Sequence, residues 1–246
     1  MRLRRAGSLP RRRPGAAPPR GGVRVDFATS IHRRHLTARI QPSDFTGRGE
    51  GMDPNPVAKG RESEMPSREL WEGFFEPDSM LAALGCGDSP GDIVEFGCGY
   101  GTFTIAAARR VCGTVYASDI DPAMLRATID RVAQAGVRNV VVETRDFVTD
   151  GCGRPDGSVD FVMLFNILHI EDPMNLLCEA HRVLRVGGVA GVIHWRHDIE
   201  TPRGPSLEIR PRPAQCRAWA EKAGLRWLSS PELPNSPWHW GMRLGR

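Results

Sequence analysis

The chain has 246 residues, enough for one large domain or one domain with an extension, and 40% of them are hydrophobic. No run approaches the ~18 consecutive apolar residues of a bilayer-spanning helix, so no membrane partner is expected. The net charge of +4 is unevenly spread: residues 1–64 carry 14 basic against 6 acidic residues, whereas residues 65–246 carry 19 against 23. A mildly acidic body lacks the basic face that neutralises phosphates, which argues against nucleic acid. The six cysteines form no CxxC pair and no cluster with histidine. They read as reduced thiols of a cytoplasmic protein, with neither a disulfide framework nor a metal site.

The opening stretch MRLRRAGSLPRRRPGAAPPRGG has no apolar core of the kind a secretory signal needs. Residues 1–64 are therefore expected to be a disordered, basic, Arg/Pro-rich extension, and residues 65–246 one domain. Within that domain Ser67 can cap a short helix carrying Leu70, Trp71, Phe74 and Phe75. Asp78 can cap a second, running to Leu84. Strand patterns follow at 92–96, 114–120, 139–144, 159–166 and 189–195. Helical patterns separate them at 102–111, 122–136 and 173–188, the last with a glycine stop, and another helix is expected over 213–224. LRWLSS and HWGMRLG close the chain as two strands joined by a short Pro/Asn/Ser turn, so they must run antiparallel. Strands rich in Val, Ile and Phe that alternate with helices imply a mainly parallel, doubly wound α/β sheet covered on both faces.

The stretch EFGCGYGTFT, residues 95–104, leaves the first strand and opens a helix. Gly97, Gly99 and Gly101 pack no side chain and weaken any regular element, which marks a close approach of backbone to something else. In an open α/β sheet, ligands bind at the carboxyl ends of strands. Exposed N–H groups at the helix start, near Thr102 to Thr104, favour a negative group by roughly 0.3–1 kcal/mol. A dinucleotide fingerprint G-x-G-x-x-G would need glycine at 102, where Thr102 stands; the loop is G-x-G-x-G led by Glu95. A carboxylate ahead of the loop has little use for pyrophosphate but pairs with an ammonium. Asp119 ends the second strand and is placed to accept from ribose hydroxyls. Asp121 competes for that role, and Asp119 is preferred because it is nearer the strand end, with Asp121 capping the helix from Pro122. After the third strand, Asp146 can accept from an exocyclic amine or serve as a plain turn residue. Ile120 and Phe147 offer apolar faces to a base, and Phe147 also suits the core. Ammonium, carboxylate, ribose and adenine together describe S-adenosylmethionine.

VEFGCGYGTFT, VYASDIDPAML, VETRDF, VDFVMLFNILH and RVLRVGG, in that order and spacing, resemble the successive motifs of class I S-adenosylmethionine-dependent methyltransferases. The resemblance covers about residues 67–246. It implies a Rossmann-like, seven-stranded sheet whose last strand inserts antiparallel, with S-adenosyl-L-methionine as cofactor. By the family pattern, Glu95, Gly97, Gly99 and Gly101 hold the methionine part, Asp119 the ribose, and Asp146 with Phe147 the adenine. Asn166, just past strand four, lines the floor near the sulfonium.

Methyl transfer from a sulfonium is an in-line displacement, for which proximity and orientation alone supply roughly 7–11 kcal/mol. A general base adds typically 10²–10⁴-fold, so an enzyme needs no recognisable dyad. If there is a base, the candidates are His169, after strand four, and His194, with His197 further along strand five. Trp71, Trp195 and His197 are expected around the acceptor pocket, Trp71 and its aromatic neighbours having core packing as their plainer role. The Pro/Arg loop at 201–213 puts Arg203, Arg210 and Arg212 either against an acidic substrate or in solvent. Strand four ends FNILH, without the paired prolines of nucleic-acid amino-methyltransferases, and no recognition domain is appended; both favour a small-molecule acceptor. Two rival readings are a non-catalytic S-adenosylmethionine-binding protein and a nicotinamide-dependent oxidoreductase, the latter weakened by Thr102.

Overall fold

Strands buried on both faces explain the near-continuous apolar runs, and all four residues of the first strand, β1 (Ile93–Phe96), are buried. The computed structural model describes residues 65–246 and the backbone of a two-residue strand, Val23–Arg24. β2 (Val115–Asp119), β3 (Val140–Thr144), β4 (Val159–Phe165) and β5 (Leu184–Trp195) run parallel to β1. β6 (Arg226–Ser229) and β7 (His239–Gly245) complete the order 3-2-1-4-5-7-6. β7 lies between β5 and β6 and is antiparallel to both, so the two closing strands pair as their short connection requires. Val23–Arg24 adds an eighth strand antiparallel to Val141–Val142 on the outer edge. Those two residues stand in the sheet; the rest of the extension expected to be disordered lies outside the described residues.

Successive side chains of a strand point to opposite faces, and the two cores follow that parity. Ile93 packs with Leu81, Phe103 and Leu125, from the side of α1 (Arg68–Glu72), α2 (Pro77–Ala83), α3 (Thr102–Arg110) and α4 (Pro122–Ala135). Val94 and Phe96 pack with Phe147, Leu176 and Ala220, from α5 (Phe147–Asp150), α6 (Pro173–Val183) and α7 (Pro213–Lys222). Helices therefore cover both faces, as a doubly wound sheet requires. Among the described residues no helix is long and apolar enough to cross a membrane.

Three local expectations are corrected. The helix expected over 173–188 ends at Val183, because fully buried Leu184 pairs with Val159 on β4 and so opens β5. Between Leu184 and Val189 the strand bulges outward, leaving Val186 exposed, and regular pairing resumes at Val189 opposite Phe161. Ser67 does cap α1, its Oγ accepting from the Leu70 N–H, yet α1 stops at Glu72 and Phe74 and Phe75 lie in the turn beyond. α2 begins at Pro77 with Glu76 as its N-cap, so Asp78 stands inside the first turn rather than at the cap.

One side chain ties the far end of α3 to the sheet. Asn139 Nδ2 donates to the carbonyls of Ala108 (3.0 Å), Val111 (3.1 Å) and Gly113 (2.9 Å), which would otherwise be orphaned at the helix end. Asn139→Ala should lower unfolding stability by about 1–3 kcal/mol, read as a lower urea midpoint at unchanged slope.

Candidate active site

β1 and β4 are where the strand order reverses, and the carboxyl ends on either side of that point open a crevice. A cavity of about 530 Å³ fills it. Glu95 lines this cavity although it is only 4% exposed, and its carboxylate accepts from Thr104 Oγ of α3. Burial pushes the Glu95 carboxyl up to about 8, partly opposed by the Thr104 hydrogen bond and reinforced by the nearby Asp119 charge.

The loop after β1 is held by backbone. Gly97 N–H and Cys98 N–H both donate to Ser118 O, at 2.9 and 3.0 Å, which fixes the loop against β2. Gly97 has φ +76°, and a Cβ there would project between Ile167 and Phe147, 3.9 Å from each, into space the cavity occupies. Gly101, at φ +71°, is the N-cap of α3, and a Cβ would stand 3.0 Å from Thr128 Oγ. Gly97 and Gly99 line the cavity, whereas Gly101 shapes the turn that leads into α3.

Asp119 ends β2 at the cavity wall, 8% exposed. Its Oδ2 accepts from Gly99 N–H at 2.9 Å and its Oδ1 from Asp121 N–H at 3.0 Å, and with Ile120 N–H as a third backbone donor the carboxylate keeps acceptor capacity for a ligand. Burial raises its carboxyl, against the pull of those backbone donors. Asp121 instead caps α4, accepting from Ala123 N–H at 2.7 Å, and does not line the cavity. Ile120 and Phe147 do line it, Phe147 packed edge-on against Phe96 at 5.3 Å.

Asp146 caps α5: its Oδ1 accepts from Val148 N–H and Thr149 N–H, and its Oδ2 accepts from Thr149 Oγ. It stands next to Phe147 of the cavity wall.

At the far end of the cavity, Asn166 sits in the left-handed region (φ +53°) just past β4, its N–H donating to Ile193 O at 2.7 Å. Its Nδ2 is 3.5 Å from Nε2 of buried His239, whose Nδ1 lies 2.8 Å from Ser236 Oγ. Trp71, Trp195 and His169 reach the wall. Trp195 is packed between Phe74 and His239, with ring centroids at 5.2 and 4.1 Å. His194 is fully buried behind the wall and His197 lies off the lining, so neither shares the cavity with His169. Arg203 lines the cavity; Arg210 is buried, donating to Pro205 O at 2.7 Å and Arg196 O at 2.8 Å, and thus braces the 196–210 loop from inside; Arg212 is exposed.

Several lining residues were not foreseen. Met65 and Pro66 cover the mouth, anchored where Tyr100 Oη donates to Pro66 O at 2.7 Å. Gly204 to Ser206 and Ile209 close the other side, the feature behind them being the Pro/Arg run at 201–213. His239 had no signal: it comes to Asn166 only because β7 inserts beside β5.

The comparisons agree with this geometry. Residues 93–188 match the family described as methyltransferase domain. A demethylmenaquinone methyltransferase of Geobacillus stearothermophilus is 34% identical over 95 residues, covering 37% of this chain and 40% of that protein. An uncharacterized 37.1 kDa protein of transposon TN4556 from Streptomyces fradiae is 36% identical over 136 residues, covering 53% of this chain and 37% of its own. The chain thus spans about two fifths of the length of these curated relatives. A crystal structure of an S-adenosylmethionine-dependent methyltransferase from Aquifex aeolicus superposes with a TM-score of 0.61 at 25% identity, over 74% of this chain and 93% of that one. The described domain thus resembles class I S-adenosylmethionine-dependent methyltransferases in its matched segment 93–188 and in its Rossmann-like sheet. The glycine cradle and the two buried carboxylates fit S-adenosyl-L-methionine, on which that Aquifex aeolicus protein depends.

The raised Glu95 carboxyl has a consequence for stability. Folding strengthens its hold on the proton, so its contribution is complete below the ordinary carboxylate range and is lost as pH rises to about 8. Urea midpoints should fall across that window in the ligand-free protein, and Glu95→Gln, neutral at every pH, should remove this component of the fall.

Proposed function

We propose that the protein transfers the methyl group of S-adenosylmethionine to a small-molecule nucleophile. The observation that carries this reading is the pairing of two buried carboxylates, Glu95 and Asp119, at adjacent strand ends on one cavity with a glycine cradle between them. Glu95 would receive the ammonium of the cofactor's methionine part, and the N–H groups leading into α3 its carboxylate. Asp119 would accept from the ribose hydroxyls, and Ile120 and Phe147 would cover the faces of the adenine. Asn166 would stand near the sulfonium. When bound, the cofactor supplies an activated methyl group; the chain's own work is to orient it, exclude water and place the acceptor in line.

A small acceptor is supported by the size of the cavity, about 530 Å³, with Met65 and Pro66 and the 203–206 loop in its walls. The demethylmenaquinone methyltransferase it partly resembles is named for a small molecule too. The mildly acidic body disfavours nucleic acid. Cytoplasmic placement rests on six free cysteines, four of them buried. A pyrophosphate-binding oxidoreductase is disfavoured because the loop begins beneath a buried carboxylate. A binding protein without turnover is the remaining rival.

Incubating the protein with a metabolite pool and methyl-labelled cofactor tests the reading directly: one mass should gain a labelled methyl. Binding of S-adenosylmethionine with no labelled product in any pool would favour the non-catalytic rival. By calorimetry, Asp119→Ala should weaken cofactor binding about 100-fold or more, because hydrogen bonds to a charged group contribute about 1.5–3 kcal/mol each. Asp121→Ala should cost only about 1 kcal/mol of stability, as a lost cap does, with little change in affinity. Equal losses of affinity from the two would assign the ribose wrongly.

A further inference from the structure

A buried histidine behind the cavity fixes the proton position of one that lines it. His194, on β5, is fully buried, its ring stacked on Trp240 with centroids 6.0 Å apart, and burial holds it neutral. Its Nδ1 is 3.3 Å from Trp195 O, and a carbonyl only accepts, so the proton is on Nδ1 and the lone pair on Nε2. That Nε2 is 3.3 Å from His169 Nδ1, which must therefore donate. The lone pair of His169 is then on Nε2, the reverse of the tautomer an unconstrained imidazole side chain favours.

His169 also stands where two cavities meet. It lines the cofactor cavity and a second one of about 420 Å³ between the 168–171 turn, the short 3-10 turn Leu207–Ile209 and α7. The second cavity is lined by apolar residues such as Ile170 and Trp219 and by Glu171, Glu208, Arg210 and Gln215, and only His169 and Ile209 belong to both linings. We propose that His169 is the general base of the methyl transfer, held in its basic tautomer by His194, and that the acceptor reaches it through this second cavity. The proposal rests on the methyl-transfer reading and adds the class of acceptor: a protic nucleophile, such as a hydroxyl or a neutral amine, on a body with both apolar and polar parts.

In the step, the nucleophile's lone pair forms the new bond to the methyl carbon while the bond from carbon to sulfur breaks, its electron pair remaining on sulfur. The proton of the nucleophile passes to His169 Nε2, giving an imidazolium that later returns it to water. The ionisable groups facing that imidazolium from its surroundings are Glu171 on its own turn, Glu208 and Arg210 from the 3-10 turn, Arg203 from the loop, and His194 behind it. The guanidinium of Arg210 is engaged by backbone carbonyls, and the two carboxylates favour the cation. His194 acts only through His169 and is a positioning residue.

Nitrogen-15 NMR of the protein loaded with S-adenosylhomocysteine, with loading checked by calorimetry, tests the tautomer without any acceptor. His169 should show a protonated Nδ1 and an unprotonated Nε2. His194→Phe, which keeps a ring on Trp240 but removes the acceptor nitrogen, should return His169 towards protonation at Nε2. His169→Gln should leave S-adenosylhomocysteine affinity unchanged and lower labelled transfer into the metabolite pool by about 10²–10⁴-fold. Wild-type His169 protonated at Nε2, or a His169→Gln loss of less than about tenfold, would overturn the proposal while leaving the cofactor reading intact. Failure to bind S-adenosylhomocysteine at all would overturn both. The wild-type spectrum decides the tautomer even if the His194 variant does not fold.

Discussion

The site is organised by a carboxylate that is almost wholly buried in the cavity wall. Glu95 stands near the end of β1 beneath the glycine loop, and its side chain accepts from Thr104 on the helix the loop leads into. An ionised carboxylate buried that way is costly unless a cation or several donors meet it. The neutral form, held up to about 8, is how the ligand-free protein accommodates it. A ligand that brings an ammonium to that position converts the cost into an attraction. Specificity at this end of the cavity therefore comes from one unsatisfied charge rather than from many contacts.

Everything near Glu95 serves to hold that arrangement. The loop is pinned to β2 through Ser118 O, Gly99 reaches across to Asp119, and Thr128 of α4 supports the loop from beneath through its bond to Gly99 O at 2.8 Å. Two carboxylates, Glu95 and Asp119, are thus carried on neighbouring parallel strands whose register places Glu95 opposite Ala117. The sheet's order reversal between β1 and β4 opens the crevice, and the β4 and β5 ends supply the opposite wall with Asn166, His169 and Trp195.

How far this was legible in the sequence follows from how local each feature is. The strands, the Pro-started helices and the glycine loop announce themselves within ten or fifteen residues. So does the division of labour between Asp119 and Asp121, because a residue just before Pro122 is a natural cap. The end of α6 was misplaced because the Gly187–Gly188 pair looks like a helix stop, while Leu184's burial against β4 had already begun the strand. Asp146 shows a role its motif position does not announce: its side chain caps its own helix. The contact between His169 and His194 spans 25 positions and depends on the register of β5 beside β4, and that between Asn166 and His239 depends on β7 inserting antiparallel. No spacing rule encodes either.

The central claim is that a buried, proton-holding Glu95 reads the ammonium of an amino-acid-bearing nucleoside. Calorimetry of S-adenosylhomocysteine binding, in buffers of different ionisation enthalpy, measures it most directly. Below about pH 8 binding should release close to one proton, and affinity should fall as the pH is lowered further. Glu95→Gln should abolish that proton release. Binding with no proton exchange in the wild type, or binding of a nicotinamide dinucleotide in place of S-adenosylhomocysteine, would contradict the account.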